Sequence, residues 1–348
     1  MKNEIIYLDR NENNYGPAPA CYEVLRTADF TKLSYYSRTF KKGVKSDLSQ
    51  KLANTFGIPE ERVLLGYGAE DLLKQTIQCY LNEGEKLLIP MYSWWYYQAI
   101  ADEVGGVNVE YPIVKGKDSF EYDIDALLKI YNKEKPKVVF ISTPNNPTGN
   151  KIEIDQLERV LDNTADAVVV LDEAYLYFNL NTDEKIIEYI KKYPNILVLR
   201  TFSKYYALAG ARIGFGLAGE GLEKLIKYSH RYLGFHRLSD KLALAALDSP
   251  EYYQEITNKM EADKETFYSE LNALDGFNVF KSYANFILVE IEESIKEPLK
   301  KFLTERNLII KFMNEPVLNH HLRITLGTQE QNRLLLDAIK EYMSVYSA

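Results

Sequence analysis

The chain has few cysteines and no excess of basic charge. Its 348 residues include only two cysteines, Cys21 and Cys79, which are too few for a disulfide framework and lack the spacing of a metal site. Lys and Arg number 42 against 50 Asp and Glu, and the formal charge of −8 excludes a global positive field that would attract nucleic acid or an anionic membrane. We therefore expect a cytoplasmic protein that captures anionic ligands locally.

Long hydrophobic runs are equally scarce. The longest purely aliphatic runs, such as residues 167–171, are far too short to cross a bilayer, and the N-terminal MKNEIIYLDRNENN lacks the apolar core of a signal peptide. No GxxxxGK[ST] loop is present to hold a nucleotide phosphate. The composition, 46% hydrophobic and 26% charged, is that of a soluble globular protein, and the length favours two domains.

Between residues 63 and 218, short β-rich apolar runs alternate with amphipathic stretches. The runs are VLLGYG, KLLIP, VNVEYP, KVVFIST, AVVVLDEAY, ILVLRTF and RIGFGLA. Several are apolar throughout rather than at alternate positions, which is typical of strands covered on both faces. The pattern predicts an α/β domain with a mostly parallel sheet flanked by helices.

The C-terminal part shows a different order. The stretch from Pro250 to Leu274 has the apolar spacing of one long helix, which we expect to bridge to a second unit. FNVFKSYANFILVEI, LIIKFM and HLRITLG then alternate with a predicted helix from Pro298 to Glu305 and a last helix from about Gln329. This order predicts a small α+β domain.

Residues with unusual chemistry follow four of the predicted strands, where ligands bind in open α/β sheets. KVVFIST leads into a turn that presents Asn146, and AVVVL is followed at once by Asp172, with Tyr175 three residues later. A carboxylate beside a buried strand needs a cation, a metal ion or hydrogen-bond donors. In isolation, Asp172 equally fits a cap of the following helix.

The other two strand ends supply groups suited to a phosphate. ILVLRTF is followed by Ser203 and Lys204, with Arg212 eight residues after the lysine. A single lysine is by default a solvated surface charge, but a hydroxyl and a guanidinium together bind a phosphate dianion. VLLGYG leads into a helix start, whose free N–H groups also bind phosphate. That helix start consists of Gly68, Ala69 and Glu70.

One cofactor accounts for all four strand ends, namely pyridoxal 5'-phosphate (PLP). Its phosphate would lie on the helix start, Ser203 and Arg212, and its aldehyde would be carried by Lys204 as a Schiff base. Its ring nitrogen would lie on Asp172, and its ring hydroxyl would face Asn146 and Tyr175. The ring draws electrons only while its nitrogen stays protonated, which a buried carboxylate enforces. We predict no metal site, because adjacent His320 and His321 on a strand point to opposite faces.

Taken together, these residues resemble the fold type I PLP-dependent aminotransferases, and among them the histidinol-phosphate aminotransferase branch. The resemblance covers nearly the whole chain. It includes LDRNENNYGP, GYGAED, PMYSWW, TPNNPTG, LDEAYLYF, RTFSKYYALAGARIGF and LRITLGTQEQN, in this order. It implies a large domain with a mostly parallel sheet of the seven-stranded type, flanked by helices, plus a small α+β domain.

The resemblance also implies a role for each matching residue. Lys204 would bind PLP and move a proton during catalysis, with Asp172 and Tyr175 as further catalytic residues. Tyr92 would stack on the ring. The implied cofactor-binding residues are Gly68, Ala69, Glu70, Tyr92, Asn146, Asp172, Tyr175, Ser203, Lys204, Arg212 and Tyr36. The implied substrate-binding residues are Tyr15, Asn146, Lys311 and Arg323.

Subunit and domain organisation follow from the same resemblance. Tyr36 matches a tyrosine that reaches the phosphate of the neighbouring subunit's cofactor, which implies a homodimer with shared active sites. We divide the chain into an N-terminal arm (1–40) that contributes to the small domain and the dimer interface, a large PLP-binding domain (41–255) and a small domain (256–348).

Some positions depart from the family pattern. Asn14 replaces a usual proline, and Lys311 lies where the histidinol-phosphate enzymes usually carry a second arginine for the substrate phosphate. Lysine keeps the charge but lacks the bidentate geometry of arginine. The dense aromatic run from Tyr92 to Tyr97 either packs as a helix against the core and a partner subunit or lines a substrate pocket.

The leading hypothesis is an aminotransferase that moves nitrogen between glutamate and a small phosphorylated carbonyl compound, with imidazole-acetol phosphate as the family default. Lys311 motivates an alternative with the same chemistry on a shorter phosphorylated ketone or an aromatic 2-oxo acid. A second alternative is a PLP decarboxylase of a phosphorylated amino acid. A third is a cofactor-binding module without catalysis, against which the intact Lys204 argues.

Overall fold

The computed structural model describes residues 4–38, 45–176 and 183–346. Within these ranges the strands are β1 (Ile6–Leu8), β2 (Val63–Gly66), β3 (Lys86–Pro90), β4 (Val107–Tyr111), β5 (Ile113–Lys115), β6 (Phe120–Tyr122), β7 (Val138–Ser142), β8 (Val168–Asp172), β9 (Ile196–Thr201), β10 (Gly214–Ala218), β11 (Phe277–Phe280), β12 (Phe286–Ile291), β13 (Leu308–Phe312) and β14 (His321–Thr325).

The helices alternate with these strands over most of the chain. They are α1 (Pro19–Thr27), α2 (Asp47–Phe56), α3 (Ala69–Tyr80), α4 (Tyr96–Asp102), α5 (Ile124–Glu134), α6 (Ile154–Asn163), α7 (Asp183–Lys192), α8 (Glu223–Tyr228), α9 (Arg237–Leu247), α10 (Pro250–Leu271), α11 (Glu293–Glu305) and α12 (Gln329–Tyr346). Among the described helices, none combines the length and apolar character needed to cross a membrane.

The larger sheet of the described residues has seven strands in the order β2-β10-β9-β8-β7-β3-β4. Strand β10 runs antiparallel to β2 and β9, and the other neighbouring strands pair in parallel. All seven apolar runs that predicted this sheet form its strands. The predicted α/β fold with a mostly parallel sheet is therefore confirmed.

Both faces of this sheet are covered, which explains the continuous apolarity of its central strands. Along β7, Val139 and Ile141 belong to one hydrophobic cluster, whereas Val138 and Phe140 belong to another. Successive side chains of a strand point to opposite faces, so these are the two sides of the sheet. Helices α5 and α6 contribute apolar residues to the first cluster, and α3 contributes to the second.

The second sheet has five strands in the order β1-β13-β14-β12-β11 among the described residues. Strand β1 comes from the N-terminal arm and pairs in parallel with β13, and the other neighbours pair antiparallel. Helices α10, α11 and α12 contribute buried apolar residues beside this sheet. The predicted boundary at residue 255 falls inside the continuous helix α10, and the boundary at residue 40 lies outside the described residues, so the domain limits stay predictions.

Two helix limits differ from the expectations, and one short hairpin was not anticipated. Helix α10 ends at Leu271 rather than Leu274, because the Asn272 side-chain oxygen accepts a hydrogen bond from the Val279 N–H of β11 (2.8 Å). Helix α11 begins at Glu293, and Pro298 lies inside it rather than at its start. A proline inside a helix removes one backbone hydrogen bond, but the buried apolar face formed by Ile295, Leu299 and Leu303 continues across it. The short hairpin of β5 and β6 was not anticipated.

Candidate active site

The predicted site residues of the large domain converge at one edge of the sheet. In the parallel strands β7 and β8, Ser142 pairs with Asp172, so both strands end at the same level. The antiparallel strand β10 begins at Gly214, which pairs with Gly66 at the end of β2 and with Thr201 at the end of β9. The segments that follow β2, β7, β8 and β9 and precede β10 therefore meet, as the sequence predicts.

Asp172 is a buried carboxylate at the centre of this edge, with 4% of its surface exposed. Its Oδ2 accepts a hydrogen bond from the Tyr97 hydroxyl (2.5 Å), and its Oδ1 accepts one from the Ala174 N–H (3.0 Å). Burial raises the pKa of Asp172, and the two hydrogen bonds act in the opposite direction. Within the described residues, Asp172 makes no ion pair with Lys, Arg or His, and a protonated ring nitrogen would supply the missing cation.

The candidate phosphate cradle lies where β2 leads into α3. Gly68 has a φ of +86°, and a Cβ added there would lie 2.7 Å from Arg212 Nη2, so this close approach requires glycine. No side chain caps the N-terminus of α3, which leaves the Ala69 and Glu70 N–H groups available to an anion. A side chain at position 68 would therefore collide with the guanidinium that faces it.

Arg212 makes only long polar contacts in this cradle. Its Nη1 lies 3.4 Å from Ser203 Oγ, and its Nη2 lies 3.3 Å from Glu70 Oε2. A phosphate dianion on the same donors would form stronger charge-assisted hydrogen bonds and would replace Glu70 as the partner of the guanidinium. The donor set of the cradle thus fits a phosphate.

Lys204 follows β9 and lies between this cradle and the small sheet. Its Nζ donates a hydrogen bond to the carbonyl oxygen of Arg10 (2.8 Å) and lies 5.6 Å from the centre of the Tyr175 ring. The side chain is half-buried, so the amine is accessible from the site. This position suits an amine that reacts with a bound ligand.

Among the other predicted ring contacts, Tyr175 lies near Lys204, whereas the Tyr92 ring packs edge-on against Phe120 (ring centres 6.0 Å apart). The Tyr175 hydroxyl accepts a hydrogen bond from the Asn11 side chain (3.2 Å), and Asn146 Oδ1 accepts one from Arg323 Nη1 (2.6 Å). The Tyr92 carbonyl oxygen accepts one from the side chain of Asn145 (2.5 Å), which links the loop after β3 to the loop after β7. These contacts connect the large sheet with the N-terminal arm and the small sheet.

Arg323 and Lys311 lie side by side on the small sheet. They are directly opposite each other in the antiparallel pair of β13 and β14, so both side chains project from the same face. Arg323 Nη2 also donates to the Asp9 carbonyl oxygen (2.6 Å), whereas Lys311 makes no hydrogen bond or ion pair within the described part of the chain. Two adjacent cations are suited to an anionic group.

Two predicted residues have their contacts elsewhere in this single chain. The Tyr15 hydroxyl accepts a hydrogen bond from the Gln329 N–H at the start of α12 (3.2 Å). Tyr36 is 71% exposed, and its carbonyl oxygen accepts a hydrogen bond from Arg237 (3.1 Å). Neither contact brings these side chains to Lys204.

The sequence interpretation missed two polar contacts. Asn11 belongs to the quoted N-terminal motif, but nothing in the sequence indicated that its amide reaches Tyr175. Tyr97 belongs to the aromatic run, for which packing and a substrate pocket were both considered, and its hydroxyl instead contacts Asp172. The described residues contain no cluster of three or more His, Cys, Asp or Glu that would hold a metal ion.

Comparison with known proteins gives a consistent result. The model of the family "Aminotransferase class I and II" matches residues 3–339. A histidinol-phosphate aminotransferase from Ruminiclostridium cellulolyticum is 35% identical over 335 residues, which cover 96% of this chain and 91% of that protein. The crystal structure of histidinol-phosphate aminotransferase from Sinorhizobium meliloti in complex with PLP is similar, with a TM-score of 0.85 and 25% identity over 99% of this chain and 92% of that one.

An L-threonine-O-3-phosphate decarboxylase from Porphyromonas gingivalis shares the fold, with a TM-score of 0.79 and 21% identity over 98% of this chain and 100% of that one. The fold alone therefore does not separate transfer from decarboxylation. The chain belongs to the aminotransferase class I and II family. The resemblance to the histidinol-phosphate aminotransferase branch drawn from its motifs is confirmed, and the protein is an aminotransferase.

Proposed function

We propose that this protein is a PLP-dependent aminotransferase that moves an amino group between glutamate and imidazole-acetol phosphate, with histidinol phosphate as the corresponding amine. The observation that carries this proposal is that three groups meet at one edge of the large sheet. They are the buried carboxylate of Asp172, which has no cationic partner among the described residues, the accessible amine of Lys204, and the phosphate cradle. The names of the relatives support the same substrate.

Each residue at this edge has a part that follows from its position. When bound, PLP supplies an aldehyde that takes up the amino group and a protonated ring that withdraws electrons. Asp172 holds the proton on the ring nitrogen, and Ser203 and Arg212 bind the phosphate. Lys204 Nζ would hold the cofactor and, once the substrate has taken its place, would remove the proton from the substrate's α-carbon and deliver it to the cofactor carbon that carried the aldehyde.

The substrate's anionic end is assigned to the small sheet. Arg323 is held by Asn146 Oδ1 and the Asp9 carbonyl oxygen, which fix the plane of its guanidinium. Lys311 adds a second positive charge directly opposite Arg323 on the neighbouring strand. Together they would bind a phosphate or a carboxylate, with Arg323 as the directional donor and Lys311 as a point charge.

A homodimer with shared active sites is part of the proposal. Tyr36 is one of several large exposed side chains, which also include Tyr35, Tyr67, Tyr232 and Leu233, and the Leu233 carbonyl oxygen accepts a hydrogen bond from the Ser37 N–H (3.0 Å). Burial of such side chains against a second copy would also carry Tyr36 towards the other phosphate cradle. Sedimentation equilibrium of the purified protein tests this, because a monomer would remove any role for Tyr36 in a neighbouring site. The cytoplasmic location stays a prediction from the sequence.

A donor comparison tests the reaction and its substrate. Protein reconstituted with PLP should be yellow, and its absorption should shift on addition of an amine that it accepts. We expect the highest initial rate with histidinol phosphate, compared with smaller phosphorylated amines and phenylalanine, at 2-oxoglutarate saturation. Negligible relative activity with histidinol phosphate would reassign the substrate, and carbon dioxide release without a 2-oxo acid would favour decarboxylation.

A further inference from the structure

Tyr97 is a buried tyrosine whose hydroxyl reaches the carboxylate of Asp172. It lies in α4, is 1% exposed, and donates to Asp172 Oδ2 at 2.5 Å. Its ring packs edge-on against Phe140 of β7, with ring centres 4.9 Å apart and an interplanar angle of 77°. Because the ring is enclosed on the sheet, the direction of the hydroxyl is fixed by packing.

The hydroxyl can act only as a donor towards this carboxylate. Burial and the neighbouring charge of Asp172 raise the pKa of Tyr97 well above its ordinary value, so the phenol keeps its proton. The Ala174 N–H donates to the other oxygen at 3.0 Å. Each oxygen of Asp172 thus has one protein donor, and each donor stabilises the ionised form.

Other polar groups near Asp172 have partners of their own. The Tyr122 hydroxyl of β6 donates to the carbonyl oxygen of Ser142. The neighbouring carboxylate of Glu173 accepts a hydrogen bond from Arg200 Nε at 2.7 Å. Among the described side chains, Tyr97 is therefore the one that donates a hydrogen bond to the Asp172 carboxylate.

We propose that Tyr97 is a positioning residue that keeps Asp172 ionised and orients it towards the ring nitrogen of the cofactor. The inference rests on the proposed PLP binding. A proton shared between a ring nitrogen and a carboxylate stays on nitrogen when the carboxylate is stabilised by other donors. Loss of the Tyr97 hydroxyl moves this proton towards Asp172 and lowers the positive charge of the ring.

Tyr111 provides a matched control. It is fully buried like Tyr97, and its hydroxyl donates to the Phe140 carbonyl oxygen at 2.9 Å rather than to a carboxylate. Tyr97→Phe and Tyr111→Phe each remove one buried hydroxyl and one hydrogen bond from the same region. Only the first of these bonds involves Asp172.

The test compares binding of PLP and of inorganic phosphate to the apo forms of the full-length protein. We expect Tyr97→Phe to weaken PLP binding about tenfold, as for loss of one hydrogen bond to a charged group, and to leave phosphate binding within about twofold. Tyr111→Phe should leave both within about twofold. Unchanged PLP affinity in Tyr97→Phe, or equal weakening of PLP and phosphate, would overturn the proposal.

A spectroscopic measurement gives a second readout. The absorption of PLP-loaded protein changes with pH as the linkage between Lys204 and the cofactor loses its proton. A less positive ring disfavours this loss, so the midpoint should rise by about one pH unit in Tyr97→Phe and stay in place in Tyr111→Phe. A midpoint unchanged or lowered in Tyr97→Phe contradicts the proposal.

If Tyr97→Phe alone does not fold, the same substitution can be made in an Asp172→Asn background. Asparagine is neutral at position 172, so loss of the Tyr97 hydroxyl then leaves no buried negative charge without a hydrogen-bond donor. In that background, Tyr97→Phe should change PLP affinity by less than about twofold, since no carboxylate remains to be stabilised. A further tenfold loss would mean that Tyr97 acts independently of Asp172. Failure of the unaltered protein to bind PLP would instead refute the proposed cofactor, and this inference with it.

Discussion

The two halves of the site differ in how their charged groups are satisfied. The cofactor end, formed by Asp172, Ser203, Lys204 and Arg212, lies at the edge of the large sheet, and its carboxylate already has a donor on each oxygen. The substrate end consists of Arg323 and Lys311 on the small sheet, and Lys311 has no polar partner within the described residues. The carboxylate of the cofactor end is therefore hydrogen-bonded on both oxygens before any ligand binds, whereas Lys311 of the substrate end has a positive charge with no polar partner among the described residues.

This difference indicates which end of the site tolerates substitution. A group with all its donors in place tolerates little change, because removal of one partner leaves a buried charge unsatisfied. Lys311 has no polar partner among the described residues, so an arginine at that position would break no existing bond and would still attract an anion. We expect substitutions at the cofactor end to affect the chemistry, and those at the substrate end to affect substrate choice.

The largest effect is expected for Lys204→Ala. Loss of the amine removes both the attachment of the cofactor and the proton transfer, so kcat should fall by at least about 10³-fold. The absorption band of lysine-bound PLP should disappear in the same variant. Lys133→Ala serves as the control, because that side chain is 80% exposed and remote in sequence. Retained activity in Lys204→Ala would remove the basis of the proposed mechanism.

Asp172→Asn should separate stability from function. Burial raises the pKa of Asp172, so the folded protein binds this proton more tightly than the unfolded chain does. Ionisation therefore destabilises the fold as the pH rises above the ordinary carboxyl value, and the apoprotein of Asp172→Asn should melt at an equal or higher temperature at pH 7. PLP affinity should nevertheless fall at least about tenfold. A large loss of melting temperature would indicate a structural role instead.

At the substrate end, we expect loss of Arg323 to raise KM more than loss of Lys311. Arg323→Lys should raise KM for the phosphorylated amine by about 30-fold, because the bidentate geometry and the bonds to Asn146 and Asp9 are lost. Lys311→Ala should raise it by about tenfold with kcat nearly unchanged. Steady-state kinetics with histidinol phosphate measure both. A fall in kcat without a change in KM for Lys311→Ala would place that residue outside the substrate site.

The smallest effect is expected for His321→Asn, on the melting temperature at acidic pH. Burial lowers the pKa of His321 to about 4, so the folded protein resists protonation of this ring. Stability that is present above the ordinary histidine pKa of about 6.5 is lost as the pH falls towards 4. Over this pH range, the melting temperature of His321→Asn should fall by about 3 °C less than that of the unaltered protein. Identical slopes in both proteins would show that other groups control the acid response.

The sequence predicted the cofactor end better than the substrate end, for a physical reason. Strand ends of a parallel sheet meet at one edge, so Asp172 and Lys204 could be brought together from the order of the apolar runs alone. The position of Arg323 beside Asn146 depends on how the small sheet packs against the large one, across 177 residues of sequence. Periodicity carries no information on such a contact.

Two further details were beyond reach for a similar reason. The direction in which the Tyr97 hydroxyl points depends on how α4 packs against Phe140. A run of aromatic residues in the sequence does not show which of the rings is buried. Asn11 and Tyr175 are 164 residues apart and meet only because β1 joins the small sheet. The place of Pro298 was misjudged because proline is common at a helix start, although the apolar spacing already continued before it.

The N-terminal strand has a consequence for synthesis of the protein. Ile6 pairs with Leu308, and the adjoining residues Asp9, Arg10 and Asn11 contact Arg323, Lys204 and Tyr175 in turn. During synthesis, the residues of β1 and those that follow it must therefore wait for β13 and β14 before the site can close. A chain whose synthesis has not passed β14 cannot assemble the complete site, so catalytic competence requires the small-sheet strands to be in place.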